Sequence, residues 1–114
     1  MTKLWRLFTG RKQMSDEEFY LKYFASKGVN RQVCDAVLRV IRYYLAIEKA
    51  PLDPKDKLVD DLMICGDDLS LGITRDLEKE FNIKLKQEDV NNIYTLEDLI
   101  LALDRGSKRT SSAS

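Results

Sequence analysis

Histidine is absent from this chain of 114 residues, cysteine and proline occur twice each, and glycine five times. Each scarcity removes a class of structure or chemistry. Without imidazole no side chain is poised to move protons near neutral pH, and no Gly-rich phosphate loop or activated-cysteine setting stands in its place. The sequence does not read as an enzyme. Cys34 falls inside a helical pattern and Cys65 stands alone before Gly66, so there is neither a CxxC pair nor a Cys/His set to hold zinc. The acids Asp53, Asp56, Asp60, Asp61, Asp67 and Asp68 lack the alternating spacing and closing glutamate of a calcium loop, and read as a solvated acidic stretch. No metal is expected. Few prolines and glycines beside plentiful Leu, Lys, Glu, Asp, Arg and Ile favour helices over short strands, which points to an all-α fold.

Long apolar runs are missing too. Nothing approaches the roughly 20 residues that cross a bilayer. Leu4-Trp5-Arg6-Leu7-Phe8 is too short and too basic for a secretory signal, so a cytoplasmic protein with reduced thiols is the expectation. What is present is a globular composition, 44% hydrophobic and 33% charged, in a chain long enough for one core. The formal charge of zero conceals a division. Residues 1–50 hold ten Lys and Arg against five acids, and residues 51–105 hold seven against fourteen, giving +5 and −7. The acidic part disfavours nucleic acid and favours a protein partner with a basic or apolar docking surface.

Residues 1–14 combine Leu4, Trp5, Leu7 and Phe8 with Lys3, Arg6, Arg11 and Lys12. This basic amphipathic segment suits either a membrane surface, reached through residues 1–12, or a cap on the protein's own core. A helical domain over 15–105 follows. Ser15-Asp16-Glu17-Glu18 has the form of a capping box for a helix over 16–27 that turns Phe19, Tyr20, Tyr23 and Phe24 inward and stops near Gly28. Asn30 caps a second helix over 31–48, with Val33, Val37, Val40, Ile41, Tyr44 and Ile47 or Glu48 on one side and Arg31, Arg39 and Arg42 on the other. Pro51 and Pro54 then impose a loop from 50 to 66. Leu69, Ile73, Leu77 and Phe81 repeat every four residues in a helix over 68–81, leaving Leu71 apolar among the charges of Arg75, Glu78 and Lys79. Thr95 caps a last helix through Leu99, Ile100 and Leu103, which Gly106 is expected to end, and 106–114 reads as a disordered polar tail. Val37, Ile41, Leu62, Leu69, Ile73, Leu77, Phe81, Ile93, Leu99 and Leu103 are the expected core.

Three fragments in order, Asp56-Lys57-Leu58-Val59-Asp60-Asp61-Leu62, Leu77-Glu78-Lys79-Glu80-Phe81-Asn82-Ile83 and Ile93-Tyr94-Thr95-Leu96-Glu97-Asp98-Leu99, resemble an acyl carrier protein. Between them, Leu62-Met63-Ile64-Cys65-Gly66-Asp67-Asp68-Leu69 resembles the prosthetic-group segment of that family. The family carries Asp-Ser-Leu there, and its serine takes up 4′-phosphopantetheine; the spacing back from Phe81 puts Asp67 in the serine's place. The chain is more similar still to a bacterial group of about this length, related to acyl carrier proteins, with Gly-Asp-Asp in place of Asp-Ser-Leu. The resemblance implies the carrier-protein bundle with an additional N-terminal helix, and no established activity. Ser70, followed by Leu71, is the alternative attachment point for phosphopantetheine if the chain is a true carrier with an unusual site.

Asp67 and Asp68 are most simply a capping pair at a helix N-terminus. A sharper alternative is that the fixed charge imitates the phosphate of a loaded carrier. On either reading the surface available to a partner is Gly66, Asp67, Asp68, Leu71, Arg75 and Lys79. An apolar centre within a charged rim gives a small interface both affinity and orientation. The resemblance implies docking through acids and apolar groups, from which Arg75 and Lys79 depart. The expected protein is a non-catalytic interaction module without a cofactor.

Overall fold

The computed structural model describes residues 2–113, except the side chains of Thr2, Lys3, Trp5 and residues 110–113. Six α-helices follow one another among these residues: α1 (Thr2–Phe8), α2 (Asp16–Tyr23), α3 (Arg31–Leu45), α4 (Thr74–Phe81), α5 (Gln87–Asn91) and α6 (Leu96–Ala113). A 3-10 turn, Ala25–Lys27, follows α2, and a π-turn, Asp68–Ile73, leads into α4. The fold is an all-α bundle, as the composition and the helical periodicities predict. No described helix is long and apolar enough to cross a membrane.

Local chemistry sets most boundaries where the sequence places them. Ser15 Oγ accepts the Glu18 N–H at 3.1 Å while Glu18 reaches back to the Ser15 N–H, completing the capping box of α2. Asn30 Oδ1 accepts the Gln32 N–H at 2.8 Å, and Thr95 Oγ1 accepts the Asp98 N–H at 3.1 Å. The 16–27 helix divides into α2 and the 3-10 turn, with Gly28 left-handed (φ 72°) at its end. α3 stops at Leu45 rather than 48, because Ala46 adopts a left-handed cap (φ 59°) that returns N–H bonds to Arg42 and Tyr43. Ile47 and Glu48 are consequently exposed instead of completing the inner face.

α3 is the central element, packed on α2, α4 and α6. Its buried face is wider than the notional stripe, since Cys34, Ala36 and Leu38 join Val33, Val37 and Ile41. Phe19 and Phe24 are buried beneath α2, with ring centroids 5.8 Å apart, while Tyr20 and Tyr23 are half-buried. Arg42, expected on the open side, is the least exposed of the helix's arginines that form ion pairs: it meets Asp16 at 2.6 Å and donates to Ala50 O.

The four-residue repeat of Leu69, Ile73 and Leu77 finds its explanation in the π-turn. Four residues overshoot a full α-helical turn by about 40°, so the stripe drifts around a regular helix. The wider π-turn, in which the Thr74 N–H bonds to Leu69 O, offsets that drift and keeps all three residues buried. Phe81, one step further, is only half-buried, which corrects its place in the expected core. Val37, Ile41, Leu62, Leu69, Ile73, Leu77, Ile93, Leu99 and Leu103 are buried as predicted.

Two further expectations fail. Gly106 does not end α6, which continues to Ala113 where a disordered tail was predicted. A Cβ on Gly106 would stand 3.1 Å from both Ile83 Cδ1 and Leu85 Cδ2, so glycine here permits close packing instead of stopping the helix. Beyond it, Lys108 bonds to Asp104 and Gly28 O, and Arg109 to Asp89. The acidic loop is not uniformly solvated either, because Ala50, Leu52, Pro54, Asp56 and Leu58 alternate inward. Asp56 is 3% exposed and takes a two-pronged bond from Arg11, at 2.7 and 2.9 Å, together with the Asp53 N–H. Its backbone oxygen accepts the Leu96 N–H, joining the N-terminal segment, the loop and the start of α6 at one residue.

Candidate functional site

The helix that carries these residues begins two residues before the π-turn. Helical geometry starts at Gly66, and the Leu69 N–H bonds to Cys65 O at 2.9 Å, so Cys65 closes the helix start. Asp67 and Asp68 therefore lie in the first turn. Asp67 is itself helical (φ −66°, ψ −41°) and makes no side-chain capping bond, which corrects the capping-pair reading. Their charge still complements the helix N-terminus, whose first N–H groups lack partners within the helix.

Asp67, Leu71, Arg75 and Lys79 form a row spaced by four residues, opposite the Leu69–Ile73–Leu77 stripe, and every one is exposed. Leu71 is 60% exposed. Gly66 and Asp68 are exposed beside this row. The six residues singled out from the sequence are all exposed, and Asp67, Asp68, Arg75 and Lys79 take part in no ion pair among the described residues.

Ser70 sits differently. It is half-buried and its hydroxyl donates to Gly66 O at 3.1 Å. That bond turns the oxygen back along the helix, about one turn beyond the N–H groups that would stabilise a phosphodiester. The π-turn itself is held from two sides. Thr74 Oγ1 donates to Leu69 O at 2.7 Å, and the Tyr44 ring lies over Gly72, where a Cβ would stand 2.5 Å from the phenol oxygen. Tyr44 Oη also donates to Asp76 at 3.1 Å. Partial desolvation, then the Asp76 bond, raise the Tyr44 pKa, with the charge of Asp68 adding to the effect. The phenol consequently remains a donor through the neutral range. Gly72 and Asp76 are the residues that the sequence pattern alone missed, and Tyr44 was placed on the inner face of its helix without this contact; a glycine within a strong helical stripe is the signal that a neighbour approaches closely.

The two thiols differ in environment. Cys34 is buried in the core, and desolvation, followed by the charges of Asp35 and Asp16, pushes its pKa up to about 12. Cys65 is exposed at the helix start. A thiol-exchange reagent at pH 8 should therefore modify one cysteine of the native protein quickly and the second only on unfolding, as counted by absorbance and located by peptide mass. Rapid modification of Cys34 in the folded state would contradict this packing.

Of the N-terminal cations, Arg6 and Lys12 are exposed and Arg11 is held by the domain. Leu4, Leu7 and Phe8 pack against the core, and Arg11 is held by Asp56 and Pro51 O. The side chains of Lys3 and Trp5 lie outside the described residues. No group of three or more metal-ligating His, Cys, Asp or Glu side chains occurs among the described residues. No protein-family model matches the chain, and no curated protein matches it in sequence.

Proposed function

We propose that this protein is a non-catalytic interaction module, similar to an acyl carrier protein in plan, that presents Gly66, Asp67, Asp68, Leu71, Arg75 and Lys79 to a protein partner. The observation that carries the reading is Leu71, 60% exposed and spaced by four between the exposed charges of Asp67 and Arg75. An apolar residue so placed gives its desolvation energy to a partner, and the flanking charges fix the partner's orientation. Asp67 stands where the family resemblance implies the modified serine, and the Ser70 hydroxyl is committed to Gly66 O. Both features favour an interaction role without phosphopantetheine over a carrier role.

Intact-mass measurement after incubation with coenzyme A and a broad-specificity phosphopantetheinyl transferase should show no adduct. A gain of one phosphopantetheine that disappears in Ser70→Ala would make the protein a carrier. Docking is tested by quantitative recovery of partners from the native host, which Leu71→Glu plus Asp68→Lys should abolish. Recovery that survives this change, together with binding to phosphatidylserine vesicles that Arg6→Glu plus Lys12→Glu removes, would replace docking by a membrane-surface role. These point changes are preferable to deleting residues 1–12, since the deletion would also remove Arg11 from buried Asp56.

A further inference from the structure

We infer that the π-turn and the apolar hollow beside it form a two-register switch. In the register seen, Leu69 lies in the core and Asp68 borders the hollow; in a second, α-helical register, Leu69 fills the hollow and Asp68 replaces Asp67 in the row of Leu71, Arg75 and Lys79. The consequence, regulation of the docking face, rests on the interaction-module reading, whereas the switch rests on geometry. A π-turn holds one residue more than an α-turn. Closing it advances every residue before it by one place, about 100° around the helix axis. Asp68 then takes the place of Asp67, Leu69 that of Asp68, and Ser70 that of Leu69.

Three observations make the second register a packed state. The place that Asp68 gives up borders a hollow of about 230 Å³ lined by Leu4, Tyr44, Leu45, Leu62 and Ile64, which suits a leucine better than a carboxylate. Leu69 is 9% exposed, at the edge of the core, while Ile73 and Leu77 are 0% exposed, so the moving part gives up little burial and the fixed part stays anchored. Ser70 is already half-buried, and its hydroxyl bond to Gly66 O lies within the moving segment and travels with it. Gly72 is the pivot. It precedes fixed Ile73 by one residue and hardly turns, so the Tyr44 phenol, bonded to Asp76, stays over it in both registers. Leu69 O now accepts both the Thr74 N–H and the Thr74 hydroxyl, and closure hands the N–H to Ser70 O. A partner that grips one arrangement of the acids shifts the population toward it.

The test is nuclear magnetic resonance on the isotope-labelled full chain, reading the acceptor of the Thr74 N–H from scalar coupling across the hydrogen bond. The parent should couple Thr74 to the Leu69 carbonyl. Ser70→Leu supplies an apolar side chain for the inner place once Leu69 has moved to the hollow, and should transfer the coupling to the carbonyl of position 70. Asp68→Leu fills the hollow in the register seen and should keep the Leu69 coupling. It should also remove the microsecond-to-millisecond relaxation dispersion expected at residues 67–71 of the parent. Ser70→Leu folded with the Leu69 coupling intact would overturn the switch. If Ser70→Leu does not fold, the comparison of parent with Asp68→Leu decides, and dispersion that is absent from the parent or unchanged by Asp68→Leu overturns it. The coupling is read without a partner, so its failure leaves the interaction module standing. Partner recovery that ignores Leu71→Glu plus Asp68→Lys removes the module instead, while the coupling still decides the switch.

Discussion

Arg11→Met should lower the stability of the folded protein by about 3 kcal/mol. Asp56, 3% exposed, would keep the Asp53 N–H as its remaining side-chain donor, and stranding one member of a buried pair costs about 3–5 kcal/mol. The low end applies because the Arg11 side chain is itself 27% exposed, so water already screens part of the pair. Asp56→Asn should cost less, about 1–2 kcal/mol, since an amide oxygen can still accept the Asp53 N–H and no buried charge remains. The double change should therefore be more stable than the sum of the single losses implies, with a coupling near 2 kcal/mol in a double-mutant cycle followed by urea unfolding. Additive losses would show that the pair acts independently. Single losses below about 0.5 kcal/mol would mean that the N-terminal segment is not fastened to the domain through this contact. The guanidinium is held above its usual pKa chiefly by the Asp56 hydrogen bond, working against desolvation, so it stays charged wherever the protein is folded.

Phe24→Ala is the second change expected to have a large effect, with a loss of about 3–5 kcal/mol. The side chain is 0% exposed and lies beside Phe19, in the element that covers α3. Its removal leaves a cavity that the backbone cannot readily close, because Phe24 O accepts the N–H groups of both Lys27 and Val29. Leu21→Ala, in the adjoining helix α2 but at a position 61% exposed, should stay within about 0.5 kcal/mol of the parent. Thermal or urea unfolding followed by circular dichroism distinguishes the two. A loss below about 1 kcal/mol for Phe24→Ala would show that residues 16–27 are a separable appendage and not part of one cooperative bundle.

The caps were legible because each is a local bond. Ser15 with Glu18, Asn30 with Gln32 and Thr95 with Asp98 act within three residues, and their chemistry is complete in the sequence. Most of the core was legible for a similar reason, since a repeat of three or four apolar residues already states which side must leave water. Asp56 was legible only in principle. It occupies the inward phase of the alternation from Ala50 to Leu58, but a carboxylate in that phase is tolerable only if a cation arrives, and Arg11 lies 45 residues away.

Sequence alone therefore determined the helical class, the starts of α2, α3 and α6, most of the buried stripes and the exposure of Leu71, because propensity, capping and amphipathicity act over a turn or two of chain. Tertiary packing decided what those local signals leave open. Gly106 became a contact point for Ile83 and Leu85 instead of a helix stop, and Gly72 became the seat of Tyr44. Of the loop acids, Asp56 was drawn into the interior, while Asp60, Asp67 and Asp68 were left without partners on the surface. The physical reason is common to all these cases. A close approach or a buried charge is permitted or forbidden by whatever another element brings within a few ångströms, and that is settled only when the helices pack.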